Sequence, residues 1–540
     1  MSTTNFQDGR TPIIADWLND VDAHVYDQDA VAHQASNISN APSGTISATN
    51  VQSAINEIVS DLAASSGSSL VGFQPSGTGA VATTVQAKLR ETISVKDFGA
   101  VGDGVTDDTA AIQKAIDAAP SRSSVLFPVG TYRCAGVLSV NSKIGLRLYG
   151  ERNARIRFDD GATTGLTLAI TSQQVVVEDL EFYSNNTTTP SITLLRIQSP
   201  YSRIVRCRLS FCDTAIYLGG AYIIMVRDCD FANYDYAIRF FNDGTSNTSE
   251  TDVKITGNTF GTARSGTTNA AVLVTDGVGV SITDNYFELQ RANKPSIRHE
   301  DGTQLLISGN LFLNSGGIYV FDNATVTNNK FTGCSTNFSP LIHVARNINS
   351  VSGNTLVESG TPLVGSIGIQ IDGSLNYVDA GRIDRFEKGI YVNGGDDNKI
   401  SGLVSNCTTA LEYTLNAIRN DHSGLLTRGA IVDPNTTTGN FNNVRGSYVV
   451  WGAVNATLNP EQSGTTNVWN SPLGANNTVT LSTTGAKIGL TRFRITRTAA
   501  STGAFTLNVG TGPLKALNPG EWCDVEFNGT DYTLTAFGAL

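Results

Sequence analysis

A six-residue pattern that returns about every 25 residues is the feature that most constrains the fold. It reads apolar, two small or polar residues, asparagine, one variable residue and a large apolar residue, at 255–260, 282–287, 307–312, 326–331 and 351–356. Its first apolar position recurs at intervals of 19 to 29 residues, at Val177, Ile204, Val226, Ile255, Ile282, Ile307, Val326, Val351, Val378 and Ile400. Such a repeat indicates a solenoid, because each unit needs its neighbours to bury its apolar side.

A second apolar strand lies between successive copies of the pattern. Three short strands in each unit of about 25 residues predict an all-β fold, a parallel β-helix of about ten or more coils. Because side chains alternate along a strand, the middle residues of these second strands should form one outward row with steps of about 4.8 Å. The row consists of Tyr217, Arg239, Leu273, Arg298, Tyr319, His343, Gln370, Tyr391 and Glu412.

The repeated asparagine should point into the solenoid. We expect Asn258, Asn285, Asn310, Asn329 and Asn354 to stack as a ladder at a turn, each amide bonded to the next. Cys207 and Cys229 occupy the same position in the two preceding units. Both thiols are therefore expected to be buried and inert.

The composition argues against several classes of protein. The formal net charge is −11, whereas a nucleic-acid-binding protein needs a basic face, so no nucleic-acid partner is expected. No run of about 18 apolar residues is present, so no membrane insertion is expected. The start of the chain lacks the basic and apolar regions of a secretory signal. Seven scattered cysteines predict reduced, buried thiols and folding in a reducing cytoplasm.

Residues 1–92 differ in composition from the repeat region. Amphipathic helices are predicted at 15–22 and 50–62, the second with Thr49 or Asn50 as its N-cap, and a short neck helix at 84–91. The helix at 50–62 has little of its own chain to bury against. One interpretation is a small two-helix subdomain. The other is an apolar stripe that packs against copies of itself or against a docking partner. We prefer the second, because linker-like residues flank the helix.

Residues 95–119 combine a glycine-rich segment with a helix. The glycines and the Asp-Gly pair build tight turns, and a helix is predicted at about 108–119 with Thr106 or Asp107 as its N-cap. A phosphate-binding loop is the competing interpretation. It is disfavoured because no lysine followed by serine or threonine comes after the glycines.

The segment 95–119 resembles the opening segment of the pectate-lyase-like superfamily as it occurs in bacteriophage tailspikes. Residues 15–20 are similar to virion-anchoring segments of such spikes. The resemblance implies a right-handed parallel β-helix over 93–424, with a capping helix near 108–119, in a homotrimer of the virion tail. It also implies a depolymerase of bacterial surface polysaccharide (capsule or O-antigen), attached through 1–92 to a phage tail or baseplate protein. It implies no single catalytic motif, and no cofactor is predicted.

The regular spacing ends near residue 424. Segments 492–496, 505–509 and 525–527 are interpreted as antiparallel strands, and Asn528-Gly529 predicts a hairpin turn before 532–534. Residues 425–540 are therefore expected to form a β-sandwich that serves trimerisation, carbohydrate binding or both.

A polysaccharide groove needs aromatic rings for sugar faces, polar side chains for hydroxyls and carboxylates for acid–base chemistry. The outward row supplies five candidate substrate-binding residues: Arg239, Arg298, Tyr319, His343 and Tyr391. The alternative interpretation is that these are ordinary solvated strand residues.

The family resemblance, rather than any residue, favours endo-glycosidic hydrolysis as the reaction. This reaction needs two carboxyl groups about 5–5.5 Å apart for retention, or about 6.5–9.5 Å apart for inversion. Charge is densest at 288–301, which makes Glu288, Glu300 and Asp301 the candidate catalytic residues. Asp301 precedes a glycine, as Asp276 does, and fits a structural turn equally well. The reserve candidates are Asp372, Asp384 with Glu387, and Asp228 with Asp230.

Three other functions are weighed against hydrolysis. A polysaccharide lyase would use His343 or a lysine as the base of a β-elimination and Arg298 to stabilise the enolate. A non-catalytic receptor-binding tail fibre would use the same fold only to bind. A secreted pectinase-like enzyme is disfavoured because no secretory signal is seen. No cluster of residues with metal-ligand spacing is visible.

Overall fold

The computed structural model describes residues 34–540 apart from a set of gaps, which are 160, 162, 189, 241–249, 265–269, 289–293, 336–337, 428–429, 433–447, 461–465, 489–490 and 511. The chain divides into two compact units, 1–92 and 93–540. The predicted helix at 15–22 lies outside the described residues. Across the part of the chain that is described, no helix has the length and apolar character needed to cross a membrane.

The smaller unit contains the two helices predicted after residue 49. Helix α1 spans Val51–Ala63, and helix α2 spans Val85–Leu89. Asn50 is the N-cap of α1, where its side chain accepts a hydrogen bond from the backbone N–H of Ser53 at 2.8 Å. A two-stranded antiparallel sheet, Gly72–Phe73 with Thr83–Thr84, lies between the helices in sequence.

The predicted apolar stripe of α1 is largely uncovered in the isolated chain. Ile55, Ile58 and Leu62 are 47%, 41% and 50% exposed. The packing of this stripe against copies of the chain or against a docking partner stays a prediction.

The larger unit is a parallel β-solenoid of about 14 turns, so the predicted all-β fold class is confirmed. The strands form three faces, named here A, B and C in the order in which the chain passes through them, and each strand pairs in parallel with its equivalent one turn away. Face A consists of Ile93–Ser94, Ser124–Phe127, Arg147–Gly150, Val176–Glu178, Arg203–Val205, Met225–Arg227, Lys254–Thr256, Ser281–Thr283, Leu305–Ser308, Ala324–Thr327 and Ser350–Ser352.

Faces B and C complete each turn. Face B consists of Asp103–Asp107, Gly130–Cys134, Ala154–Phe158, Glu181–Ser184, Thr259–Phe260, Tyr286–Glu288, Leu311–Leu313, Lys330–Thr332 and Thr355–Val357. Face C consists of Leu138–Val140, Thr164–Leu168, Thr193–Ile197, Val272–Val274, Ile297–His299, Ile318–Val320, Ile342–Val344, Ile367–Ile371, Lys388–Val392, Thr409–Tyr413 and Ala430–Val432. Longer strands run through two faces: Arg208–Leu218 and Asp230–Phe240 through B and C, and Tyr377–Asp384, Lys399–Ser405 and Asp421–Thr427 through A and B. A separate short parallel pair joins Glu250–Thr251 to Gly277–Val278.

The repeat predicted the register of face A correctly. All ten apolar positions from Val177 to Ile400 are partners of one another from turn to turn. The sixth residue of the pattern forms a second internal stack on face B. Its rings lie 4.4–5.0 Å apart and within 7° of parallel, in the order Phe231, Phe260, Phe287, Phe312 and Phe331.

The predicted asparagine ladder is present at the corner between faces A and B, named here the A–B corner. From Asn258 to Asn354, each asparagine donates from its backbone nitrogen and from Nδ2 to Oδ1 of the next, at 2.9–3.0 Å. Buried polar groups are costly unless they are bonded, and here each amide satisfies its neighbour. Cys229 precedes the ladder and donates its backbone N–H to Asn258 at 2.9 Å.

A second ladder, which was not predicted, lies at the corner between faces C and A, named here the C–A corner. Asn349, Asn376, Asn398 and Asn420 are joined by the same two bonds, at 2.8–3.1 Å. It begins where the first ladder ends, so a row of hydrogen-bonded amides also connects the later turns.

The helix predicted at 108–119 is α3, Thr109–Ala118, with Ile112, Ala115 and Ile116 buried. The predicted N-cap is wrong, because Asp108 occupies that position. Its carboxylate turns away from the helix and accepts the backbone N–H groups of Val101 and Gly102 at 2.7 and 3.0 Å. The glycine-rich segment therefore binds a buried aspartate of its own chain.

The solenoid stacking continues beyond residue 424, which corrects part of the prediction. Three strands extend face C in parallel pairing, Tyr448–Trp451, Thr466–Trp469 and Arg492–Arg497. Ala456–Leu458, Asn477–Leu481 and Leu507–Val509 form a second parallel stack. The segments predicted as antiparallel strands do have antiparallel partners. Two of them, Arg492–Arg497 and Leu507–Val509, also pair in parallel with a preceding strand, which was not predicted.

Among the described strands of the larger unit, only the last ones pair in antiparallel orientation. Glu521–Phe527 pairs with Arg492–Arg497 and with Tyr532–Ala539, and Lys515–Leu517 pairs with Leu507–Val509. The predicted hairpin turn is present, with the N–H of Asn528 bonded to the carbonyl of Asp531 at 3.0 Å. The sandwich boundary at 424/425 and its role in trimerisation or carbohydrate binding stay predictions.

All seven cysteines are free, and all but the half-buried Cys407 are buried. Burial, with a contribution from Cys229, raises the pKa of the Cys207 thiol well above its usual value. Burial also raises the pKa of Cys134 to about 12. Thiols in this state are poor nucleophiles, which agrees with the inert role predicted for them.

Candidate active site

The outward row on face C exists as predicted. Its nine members, from Tyr217 to Glu412, are register partners from each turn to the next. Eight are half-buried, and Leu273 is buried. Neighbours in such a row lie about 4.8 Å apart along the axis. The row therefore presents aromatic, cationic and amide groups side by side.

Three members of the row contact one another in sequence order. The Arg298 guanidinium lies 5.2 Å from the centre of the Tyr319 ring. The Tyr319 and His343 rings meet edge to face, with centroids 4.9 Å apart and planes at 86°. Parallel β pairing brings these side chains together, since each residue is one turn beyond the last.

A carboxylate fixes the orientation of His343. Nε2 of the imidazole is 2.7 Å from Oδ2 of Asp372, and Gln370 Nε2 donates to the other oxygen of Asp372 at 2.8 Å. A carboxylate acceptor selects the tautomer that carries its proton on Nε2. The lone pair of Nδ1 is then available to act as a base.

Asp372 is held in its charged form. Burial alone would raise the pKa of this carboxyl, but hydrogen bonds from His343, Gln370 and Asn393 outweigh that effect and lower the pKa below its usual value. An ionised Asp372 can stabilise a positive charge that forms on His343.

The Tyr319 hydroxyl is held in its neutral form. Burial raises the pKa of the phenol, Arg298 lowers it, and Asp372 and Glu300 raise it further, with a net increase. Tyr319 is therefore protonated at neutral pH and can donate a proton.

The three predicted catalytic carboxylates do not come together on one face. Glu288 ends a face B strand opposite Leu313. Glu300 follows a face C strand and pairs with Arg298, whose Nε lies 2.6 Å from Oε1. Asp301 is exposed and accepts the backbone N–H of Gly302 at 2.8 Å, the turn geometry considered as its alternative role.

The other predicted substrate-binding residues lie at the two ends of the row. The Arg239 guanidinium is 5.0 Å from the centre of the Tyr236 ring. Near Tyr391, Nζ of Lys388 lies 4.2 Å from the ring centre and 2.7 Å from Oε1 of Glu412. The row from Arg239 to Glu412 covers seven turn steps, about 34 Å, which is a length suited to a chain-like ligand.

Of the reserve candidates, only Asp372 contacts the row. Asp384 is buried and accepts bonds from Ser405 at 3.1 Å and Asn406 at 2.6 Å. Asp228 and Asp230 pair with surface arginines of faces A and B. Among the residues that the structure describes, no cluster of three or more His, Cys, Asp or Glu side chains could hold a metal ion.

The contact between His343 and Asp372 is the main feature that sequence reasoning missed. Asp372 lies two residues beyond Gln370, just past the end of its strand, as Glu300 lies two beyond Arg298 just past the end of its own. The alternation rule that placed Glu300 on the surface therefore also applied to Asp372.

Two family models match parts of this chain. Residues 92–197 match the family model "Rhamnogalacturonase A/epimerase, pectate lyase-like", and residues 194–356 match "Right handed beta helix region". The described architecture agrees with both matches.

Three curated relatives share short segments with this chain. Mannuronan C5-epimerase AlgE1 of Azotobacter vinelandii is 43% identical over 83 residues, 14% of this chain and 6% of the relative. The pre-neck appendage protein of Bacillus phage phi29 is 42% identical over 76 residues, 14% of this chain and 8% of the relative. Plasmin and fibronectin-binding protein A of Streptococcus pneumoniae is 49% identical over 59 residues, 10% of this chain and 8% of the relative. The chain thus spans less than a tenth of each of these relatives, which include an enzyme, a virion part and a binding protein.

Proposed function

We propose that this chain is a phage tailspike that binds a bacterial surface polysaccharide along face C and cleaves it at Tyr319 and His343. The observation that carries the proposal is the His343–Asp372 pair, set in a row of tyrosine and arginine side chains. A phage appendage and a polysaccharide epimerase among the relatives support the setting and the substrate class. A homotrimer in the virion tail, attached through residues 1–92, completes the proposal.

The geometry favours β-elimination within an acidic polysaccharide. Nδ1 of His343 removes the proton next to the carboxylate of a uronate, and Arg298 stabilises the negative charge that develops on that carboxylate. The electron pair forms a carbon–carbon double bond and expels the glycosidic oxygen, which takes its proton from the Tyr319 hydroxyl. Asp372 stabilises the imidazolium until its proton passes through solvent to the Tyr319 phenolate, which restores both residues.

Hydrolysis, favoured from the sequence, has weaker support from the described geometry. Glu288 and Glu300 project from different faces. Glu300 and Asp372 occupy one column of face C but are three turn steps, about 14 Å, apart along the axis. That spacing exceeds the separation of about 6.5–9.5 Å that an inverting pair needs.

The test compares two tyrosines in matched settings. Tyr319 lies beneath Arg298, and Tyr217 lies beneath Arg196, whose guanidinium is 5.6 Å from its ring centre. We expect Tyr319→Phe to bind acidic polysaccharide but to cleave it about 10²–10⁴-fold more slowly, while Tyr217→Phe keeps full activity. Polymer length is followed by size-exclusion chromatography, with ultraviolet absorbance to detect unsaturated products.

A non-catalytic receptor-binding fibre is the second candidate function, favoured by the streptococcal binding protein among the relatives. It predicts binding of host polysaccharide with no change in polymer length for the wild-type chain. That result would refute the enzymatic proposal while leaving the groove as a binding surface. Shortened polymer without unsaturated products would instead replace elimination by hydrolysis.

A further inference from the structure

A second groove lies about four turns from His343, at the C–A corner and the adjoining edge of face A. It has a volume of about 680 Å³, within the range of about 300–1,000 Å³ that is usual for ligand sites. One wall is the column of corner residues, which includes Gln174, Tyr201 and Ile223. The other wall is a column of outward face A residues in register from turn to turn: Val176, Arg203, Met225 and Lys254.

The corner wall carries bulky side chains in a backbone conformation that disfavours them. Tyr201 and Ile223 have φ of 60° and 56°, in the left-handed region that β-branched and bulky residues rarely adopt. Both side chains are substantially exposed, at 39% and 44%. Burial of apolar surface therefore does not explain why bulky residues occupy these positions. Strained positions of this kind are concentrated at ligand-binding sites.

The other wall carries cations that are not neutralised by the protein. Neighbouring arginines on this side of the solenoid pair with carboxylates: Arg147 with Glu178, Arg206 with Glu178 and Asp179, and Arg227 with Asp228. Within the described part of the chain, neither Arg203 nor Lys254 has such a partner, and both are exposed. Asp252 is the one acidic residue among those that line the groove.

The positions of these groups fit a charged, chain-like ligand. Arg203 and Lys254 are two turn steps apart, about 10 Å, which is close to the length of a disaccharide. Met225 and Ile223 lie between them, and the exposed Tyr201 ring borders the groove. The chain as a whole carries a net charge of −11, which disfavours the approach of an anion. Two cations without a carboxylate partner among the described residues create a local positive potential that can attract an anionic ligand to this groove.

We propose that this groove is a second, non-catalytic binding site for an acidic saccharide chain with one carboxylate in each disaccharide. The carboxylates bind Arg203 and Lys254, and the sugar faces pack on Tyr201, Ile223 and Met225. The site is independent of the chemistry proposed for His343. It would hold the polymer on the same particle while face C acts on another part of it.

The test measures binding by titration calorimetry on the full-length chain. The His343→Gln variant is used as the background so that the ligand is not cleaved. The probes are a hexasaccharide with alternating uronic acid units and a neutral hexasaccharide of equal length. Because face C also offers cations, the signal of the groove is the part of the binding that is lost in Arg203→Gln and in Lys254→Gln. Each variant should bind the acidic probe at this site roughly tenfold more weakly, the effect of losing one charge-assisted contact.

Two controls separate this site from general effects. Arg227→Gln, outside the groove on the same face, should leave binding unchanged. Ile223→Asn should raise the melting temperature, because Asn adopts the left-handed region readily, yet weaken binding. Leu375→Asn, at the same corner but outside the groove, should raise the melting temperature without changing binding.

Three results would overturn the proposal. The first is unchanged affinity in both cation variants, and the second is equal affinity of the wild-type groove for the neutral probe. The third is that Ile223→Asn changes the oligomeric state in sedimentation but leaves saccharide binding unchanged. The last result would identify the groove as an interface between copies of the chain. Failure of the wild-type chain to cleave polysaccharide would leave this binding result intact, so the two proposals can fail separately.

Discussion

Two of the three corners of the solenoid, A–B and C–A, meet the same geometric demand with partly different residues. Each turn needs one residue with positive φ at the A–B corner and another at the C–A corner. At the A–B corner the sequence supplies residues that tolerate this conformation, in the order Asp228, Gly257, Asp284, Gly309, Asn328 and Gly353. At the C–A corner it supplies both kinds of residue: tolerant ones at Asp252, Gly279 and Asn323, but bulkier ones at Gln174, Tyr201, Ile223, Gln304, Ile348 and Leu375.

The alternation at the A–B corner has a steric cause. A Cβ added to Gly309 would lie 2.5 Å from Oδ1 of Asp284, and one added to Gly353 would lie 2.6 Å from Oδ1 of Asn328. A short polar side chain thus occupies the space above the glycine of the next turn. At the C–A corner this arrangement occurs at Gly279, where an added Cβ would lie 3.0 Å from Oδ1 of Asp252, but at other turns of that corner large apolar side chains face solvent. The difference suggests that backbone conformation alone determines the residue types at the A–B corner, whereas ligand binding at the surface also determines those at the C–A corner.

Breaking the two ladders should have the largest effect on stability. Asn310→Leu removes the acceptor for two donors of Asn285 and leaves the Ile282 carbonyl without its bond from Nδ2 of Asn310. Each buried group left unpaired costs about 1–3 kcal/mol, so we expect a loss of at least about 3 kcal/mol. Asn376→Leu should cost a similar amount at the C–A corner. Urea unfolding checks both, and an unchanged midpoint in either variant would show that the ladder at that corner contributes little.

Acidification should lower the free energy of unfolding through a buried histidine at the end of the C–A ladder. His422, two residues after Asn420, is fully buried with Nδ1 2.7 Å from the Tyr413 hydroxyl, and burial lowers its pKa to about 3. The unfolded chain takes up this proton near pH 6.5, so stability is present above that pH and is lost as the pH falls. From pH 7 to 5 this amounts to about 2 kcal/mol.

His422→Gln should remove that part of the pH dependence. Comparing the free energy of unfolding at pH 7 and pH 5 for both proteins measures it directly. His343→Gln is the control at a half-buried histidine, and it should leave this part of the pH dependence in place. Parallel pH profiles for wild type and His422→Gln would contradict the assignment.

Exchanging residue types between the corners should have smaller effects of opposite sign. Gly309→Ala places a methyl group against Asp284 in a left-handed backbone and should cost about 1–2 kcal/mol. Ile348→Asn, at a side chain that is 61% exposed, should gain up to about 1 kcal/mol by relieving strain. Melting temperatures report both changes. A loss of stability in Ile348→Asn would mean that its side chain supports the fold.

Much of the scaffold could be predicted from one repeat. The pattern around Asn258 gave the turn length, the register of face A, the first ladder and the outward row. The second ladder was readable too, since Asn349, Asn376 and Asn398 each stand two residues before an apolar face A position. The strands after residue 448 could not be found this way, because the repeated pattern of faces A and B does not recur there.

The site was only partly predictable for a physical reason. Position along the row follows from strand alternation, so Arg298, Tyr319 and His343 were placed correctly. Contacts across turns depend on how far a side chain leans, which alternation does not specify, and so the bond between His343 and Asp372 was missed. Glu288 and Glu300 were grouped because they are close in sequence. Twelve residues are about half a turn, which carries the chain from face B to face C.

The most direct test of this account is the ultraviolet absorbance of an acidic polysaccharide incubated with the wild-type chain and with His343→Gln. We expect absorbance to rise with wild type as unsaturated uronate ends form. It predicts that the rise is at least about 100-fold slower with the variant, while the melting temperature stays close to that of wild type. An equal rise with both proteins would contradict the assignment of His343 as the base.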